Sequence, residues 1–220
     1  LELPGFADYE KQGEDPGAVP RGCSAAVFEK IKSDGLCHLR GKASTGKTTS
    51  AWIAAFRWRS QGSAQYAVHY LDLGDDASRE TIENGFRTIS RNSKALIILD
   101  NAHRQPSIAN SLKQLRGDLE ESERPRLLII GTQTTDLHQE PNRNMRWPED
   151  TITTAISPEM FGDVANFYLQ RANLRAIDLT RDQTERWAAH FGGVLHVFAL
   201  AVMQRATNLA NGDMALDRQD

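Results

Sequence analysis

The sequence is short of cysteine, has no long apolar run and shows no marked excess of either charge. Only Cys23 and Cys37 occur, and Cys37 falls in an apolar stretch that reads as a buried strand, which argues against a disulfide scaffold and for a reducing cytoplasm. No stretch approaches the ~18 consecutive apolar residues of a membrane span. The opening Leu1-Glu2-Leu3-Pro4-Gly5 also lacks the basic and apolar regions of a signal peptide, so no membrane partner is expected. A net charge of −3 supplies no global basic excess for wrapping nucleic acid; that partner is unsupported, and only a local patch stays open. The first residue is not Met, from which we expect a segment of a longer chain whose sensor and effector domains lie elsewhere. Self-similarity at a fixed period is absent as well.

What is present is an ordinary globular composition. With 40% hydrophobic and 25% charged residues, disordered and fibrous classes are out. A length of 220 residues suits one α/β domain with a small helical appendage. Residues 1–23 are broken up by Gly and Pro and read as a linker arm. A short amphipathic helix follows over 24–32, capped by Ser24. Strands are expected at 36–39, 66–73, 95–100, 126–132 and 152–156, with helices at 47–59, 78–90 and 107–121 between them. The runs Leu96-Ile97-Ile98-Leu99 and Leu127-Leu128-Ile129-Ile130 are apolar without alternation, as in parallel strands covered on both faces. The fold class is therefore α/β: a three-layer P-loop NTPase sandwich on a parallel sheet over 24–156, followed by a small α-helical lid subdomain over 157–210. Its helices are expected at 158–173, 180–190 and 194–208, the last two separated by Gly192-Gly193, and residues 211–220 form a polar tail.

The segment Gly41-Lys42-Ala43-Ser44-Thr45-Gly46-Lys47-Thr48 matches G-x-x-x-x-G-K-[ST] in full, between a strand and a helix. Small residues let the N–H groups of positions 42–48 turn inward around phosphates, and the following helix presents its positive end. Lys47 is expected to reach the β- and γ-phosphates, Thr48 to place its hydroxyl on Mg²⁺, and Thr49 to lie near the α-phosphate. Asp100 closes an aliphatic strand about fifty positions later, where P-loop proteins hold the magnesium shell. Asn101 follows it, where many such ATPases carry an acid that orients the attacking water, so hydrolysis is expected to be slow. Asp72, Asp75 and Asp76 offer other carboxylates near strand ends, against the plainer reading of a solvated loop. His103 and Arg104 are close enough to sense a γ-phosphate or a neighbouring subunit, or are simply exposed. Thr132 and Gln133, past the fourth strand, are placed to reach a γ-phosphate or water. No guanine-reading motif is present, which points to ATP or ADP with Mg²⁺.

Taken in order, Gly41 to Thr48, Tyr70-Leu71-Asp72-Leu73, Leu99-Asp100-Asn101-Ala102-His103, Leu128-Ile129-Ile130-Gly131 and Phe191-Gly192-Gly193-Val194-Leu195 resemble a STAND-type ATPase. This is the branch of the AAA+ superfamily that holds NACHT and NB-ARC domains, and the prokaryotic members with an Asp-Asn-x-His form are the most similar. The resemblance spans residues 24–205. It implies ATP or ADP held between sheet domain and lid, with nucleotide exchange switching a larger protein between a resting form and an active homo-oligomer, in signalling or antiphage defence. Three departures stand out. Asn101 replaces an acid, Thr132 and Gln133 stand where an arginine is frequent, and Leu195, followed by His196, stands where a proline often packs on adenine. Leu195 or His196 contacts the base on this reading; a plain helix start fits equally.

Three further readings compete. An AAA+ motor or loader would act on nucleic acid or protein in a ring. A small-molecule kinase would clamp phosphates with lid arginines, but Arg171, Arg175, Arg181 and Arg186 do not share one helix face. A binding-only scaffold would keep Lys47, Thr48 and Asp100 without turnover.

Overall fold

Leu96, Ile97, Ile98 and Leu99 alternate between two separate cores, which is why the run has no polar side. In the computed structural model, which describes residues 22–42, 45–61, 66–74, 78–89, 92–132, 145–154, 156–191 and 195–210, every residue of this strand, β3 (Leu96–Asp100), is buried. Leu96 and Ile98 join Leu128 and Ile130 against helix α1 (Gly22–Asp34), through Val27 and Ile31, and helix α2 (Lys47–Arg59), through Ala51, Ala54, Ala55 and Trp58. Ile97 and Leu99 join Leu127 and Ile129 on the other face, against α3 (Arg79–Ile89), through Ile82 and Phe86, and α4 (Pro106–Gly117), through Ile108, Ala109 and Leu112. Two helices on each face of one sheet make the three layers, and each fully buried aliphatic side chain contributes about 1.5–3 kcal/mol.

The sheet also contains β1 (Leu36–Gly41), β2 (Val68–Asp72), β4 (Arg126–Thr132) and the two-residue β5 (Ile152–Thr153). All pairings are parallel, in the order β2-β3-β4-β1-β5. Strand β4 thus lies between the strand that leads into the P-loop and the strand that ends in Asp100. The carboxyl ends of all the strands open toward one edge, where ligands of open α/β sheets bind.

Several expected boundaries moved. Helix α1 starts at Gly22, two residues before the expected cap; Ser24 is only 2% exposed and lies in the first turn of the helix. The second strand is confined to Val68–Asp72. The helix expected over 107–121 stops at Gly117, where Gly ends the regular period, and a 3₁₀ turn at Glu121–Glu123 follows. The last strand is shorter than 152–156, ending at Thr153; the Thr154 N–H still donates to Arg40 O at 2.8 Å, and the Thr154 hydroxyl is bonded to Thr45.

The chain divides into two compact units, Leu1–Thr154 and Ala155–Asp220. The second consists of α5 (Glu159–Arg171), α6 (Arg181–His190) and α7 (Leu195–Ala210). Its core is aromatic: Phe198 packs against Phe161, Trp187 and Phe191 at ring separations of 4.9–5.2 Å. Thr180 begins α6 with a reciprocal capping box to Gln183. Arg181 and Arg186, two of the arginines weighed as a phosphate clamp, pair with Glu185 and Asp182 on their own helix at 2.8 and 2.7 Å. The polar tail and most of the linker arm lie outside the described residues, as do Gly192 and Gly193. No described helix is long and apolar enough to cross a membrane.

Candidate functional site

The P-loop closes around one carbonyl oxygen. Lys42 O accepts from Thr45 Oγ1 at 2.9 Å and from Lys47 Nζ at 2.7 Å. Gly41 must lack a side chain, since a Cβ there would collide with the Thr154 hydroxyl and lie 2.7 Å from Thr45 Oγ1. Gly46 takes φ +80°, a left-handed conformation that places Lys47 at the first position of α2. Ser50 fastens that first turn by donating to Gly46 O at 3.0 Å, and Cys23 of α1 sits 3.0 Å from the Ser50 hydroxyl. Burial lowers the Lys47 pKa from the ordinary lysine value, while the negative charge of Asp100 opposes that shift. A desolvated ammonium one strand away from a carboxylate favours an anionic ligand. Thr48 and Thr49 follow half-buried on α2; Ala43 and Ser44 lie outside the described residues.

Asp100 is 6% exposed, and donors engage both of its oxygens. Thr48 Oγ1 donates to Oδ2 at 3.0 Å, the Tyr70 hydroxyl donates to the same atom at 2.9 Å, and the Asn101 N–H donates to Oδ1 at 2.7 Å. The structure thus brings together Thr48 and Asp100, the two residues expected on the metal side. A hydroxyl and a carboxylate are the hard oxygen donors Mg²⁺ accepts when it keeps its waters and shares a site with phosphates, so the donor set fits that ion. Tyr70 is exposed as a residue, but desolvation of its hydroxyl end beside Asp100, with the charges of Asp100 and Asp72, raises its pKa and keeps this phenol a donor. Its ring stacks on Trp52 of α2 at 5.1 Å.

Asn101 has φ 55°, a left-handed conformation that Asn tolerates better than most residues. Its Nδ2 donates to Asp72 Oδ1 at 2.8 Å, and Leu73 N donates to Asp100 O at 3.0 Å, so the ends of β2 and β3 are joined by side chain and backbone. Asp72 is therefore part of the same cluster; Asp75 and Asp76 lie outside the described residues. His103 and Thr132 also meet, the Thr132 N–H donating to His103 Nδ1 at 3.1 Å, which leaves the imidazole proton on Nε2 when the ring is neutral. Arg104 is exposed, its N–H on Asn101 O, and Gln133 lies outside the described residues. Leu195 and His196 open α7, with side chains outside the described ones.

Tyr70, Trp52 and Thr154 were not expected at the site. For Tyr70 a signal existed. Residues two apart on a strand share a face, and Tyr70 pairs in register with Ile98 as Asp72 does with Asp100, so Tyr70, Asp72 and Asp100 face one side. That register is a property of the folded sheet, though, and Thr154 reaches the P-loop only because β5 pairs with β1.

Structures of Thermotoga maritima RuvB share this fold. One RuvB point variant aligns at 15% identity over 86% of this chain and 59% of its own, with a TM-score of 0.55. A second variant aligns at 16% over 99% and 67%, with a TM-score of 0.56. The RuvB described as a Holliday junction branch migration motor aligns at 17% over 96% and 62%, with a TM-score of 0.50. The chain thus spans about three fifths to two thirds of the length of those proteins. At such identities the likeness carries the fold alone, an α/β P-loop NTPase-like fold. No family model and no curated protein matches the chain.

Proposed function

We propose that this chain is the ATP/ADP- and Mg²⁺-binding module of a STAND-like signalling or defence ATPase in the cytoplasm, its nucleotide state switching a larger protein between resting and oligomeric active forms. The observation that carries the reading is the cluster at the strand ends: Lys47 buried in the P-loop, Thr48 bonded to Asp100 at 3.0 Å, and then an amide, Asn101, where an acid would speed turnover. In this reading Lys47 holds the β- and γ-phosphates, Thr48 and Asp100 hold the magnesium shell, and the N–H groups at the start of α2 face the phosphates. Bound Mg²⁺ would supply neutralisation of phosphate charge. Asn101 cannot itself take a proton from water, so turnover is slow beside an enzyme with an acid at this position, and the bound nucleotide serves as the message.

The experiment is to denature the purified protein, identify the released nucleotide, and follow multiple-turnover hydrolysis with Lys47→Ala as control. Co-purified ADP with turnover far below one per minute supports the switch; rapid Lys47-dependent turnover by this chain alone sinks it. A second reading, a motor or loader acting on nucleic acid or protein, is favoured by the RuvB alignment. Ring assembly with turnover stimulated by DNA, RNA or unfolded protein would select it.

A further inference from the structure

We infer that Asp72, at the end of β2, is the carboxylate that takes the proton from the attacking water, and that Asn101 is its positioning residue. The inference rests on the nucleotide reading above and identifies a catalytic group for it.

Hydrolysis of a γ-phosphoryl group needs a proton acceptor beside the water, and an amide cannot serve. Asp100 is poorly suited: it is buried, Oδ2 accepts from both Thr48 and Tyr70, and Oδ1 accepts from the Asn101 N–H. Asp72 is exposed and level with Asp100 in the sheet, and only one of its oxygens is engaged, Oδ1 by Asn101 Nδ2 at 2.8 Å. Its Oδ2 receives no hydrogen bond among the described residues.

The Asn101 backbone accounts for the direction of that bond. At φ 55° the residue turns its side chain toward β2, and the backbone bond from Leu73 N to Asp100 O keeps the two strand ends together. A left-handed residue other than glycine is uncommon, and such backbone concentrates where a geometry is needed. Acid and amide therefore occupy neighbouring strand ends, the acid on β2 and the amide on β3. In the step, the water oxygen bonds to the γ-phosphorus as the bond from that phosphorus to the bridging oxygen breaks. The electron pair leaves on the diphosphate, and one water proton passes to Asp72 and then to solvent. Inorganic phosphate and ADP are the products.

The test uses the full chain and three variants: Asp72→Asn, Asn101→Ala, and the exchange Asp72→Asn with Asn101→Asp. Binding of a fluorescent ADP analogue is measured beside phosphate release from ATP across pH 5–9. Asp72→Asn is expected to keep nucleotide affinity within about three-fold of wild type while turnover falls about 100-fold or more. Asn101→Ala is expected to lower turnover less, with the loss in kcat and KM for ATP unchanged, a split that a merely structural loss would not give. The exchange is expected to return at least about a tenth of wild-type turnover, since Asp also tolerates the left-handed conformation of position 101. Wild-type turnover and an unaltered pH profile in Asp72→Asn would overturn the assignment, as would a wild-type chain that binds ATP and releases no phosphate. Failure of the nucleotide reading looks different: Lys47→Ala would then bind the analogue as well as wild type does.

Discussion

The Tyr70 hydroxyl donates to Asp100 Oδ2 at 2.9 Å, to the same atom that accepts from Thr48. A residue on the outermost strand thereby orients a carboxylate at the phosphate loop. Tyr70→Phe removes the donor but keeps the ring on Trp52. The Mg²⁺ concentration for half-maximal nucleotide binding is expected to rise about five-fold, the effect of one hydrogen bond worth about 1 kcal/mol. A Mg²⁺ titration of a bound fluorescent ADP analogue checks this; an unchanged midpoint would leave Tyr70 only its packing on Trp52.

Gly41→Ala forces a methyl group against Thr154 and Thr45. The expected loss is about 2 kcal/mol of stability, typical of overpacking, with weakened nucleotide binding. Adding Thr154→Ala removes the worst collision and should return part of both. Urea unfolding of the single and double variants decides: equal midpoints for the two would mean that the loop yields elsewhere.

His38 on β1 is 4% exposed, edge-on to Trp147 at 6.4 Å. Burial, helped by the positive charge of Lys113, pushes its pKa down from 6.5 to about 4. The unfolded chain therefore binds more protons than the folded chain between these values. Stability from this group is complete above pH 6.5 and is lost as pH falls toward 4, by up to about 3 kcal/mol. His38→Leu should flatten that share of the slope. Urea unfolding at several pH values between 4.5 and 7.5 compares the two, and parallel curves would refute the assignment.

Thr180 accepts from the Gln183 N–H at 3.3 Å, and Gln183 Oε1 accepts from the Thr180 N–H at 2.9 Å. Thr180→Ala is expected to cost about 1 kcal/mol, seen as about five-fold faster amide exchange in the first turn of α6. Nucleotide affinity measured on the same sample should not change.

The sheet was readable in the sequence because its central strands are buried on both faces, and Leu96–Leu99 and Leu127–Ile130 could satisfy no other environment. The P-loop was readable because its spacing is local. Residues whose roles depend on a neighbouring strand were not: Tyr70 needs the β2–β3 register, and Thr154 needs the pairing of β5 with β1. The hydrogen bond of Asn101 to Asp72 also depends on that register, so the sequence could name Asp72 only as one of several acids near strand ends.

Strand β1 has two neighbours, β4 and β5, and both follow it by most of the first unit: Leu36 pairs with Leu127, and Leu39 with Ile152. On a translating ribosome the phosphate loop is made before either partner strand, so the strand that carries it has nothing to pair with until residues beyond 126 emerge. If the chain binds nucleotide as proposed above, capture of ATP or ADP therefore waits for closure of the sheet.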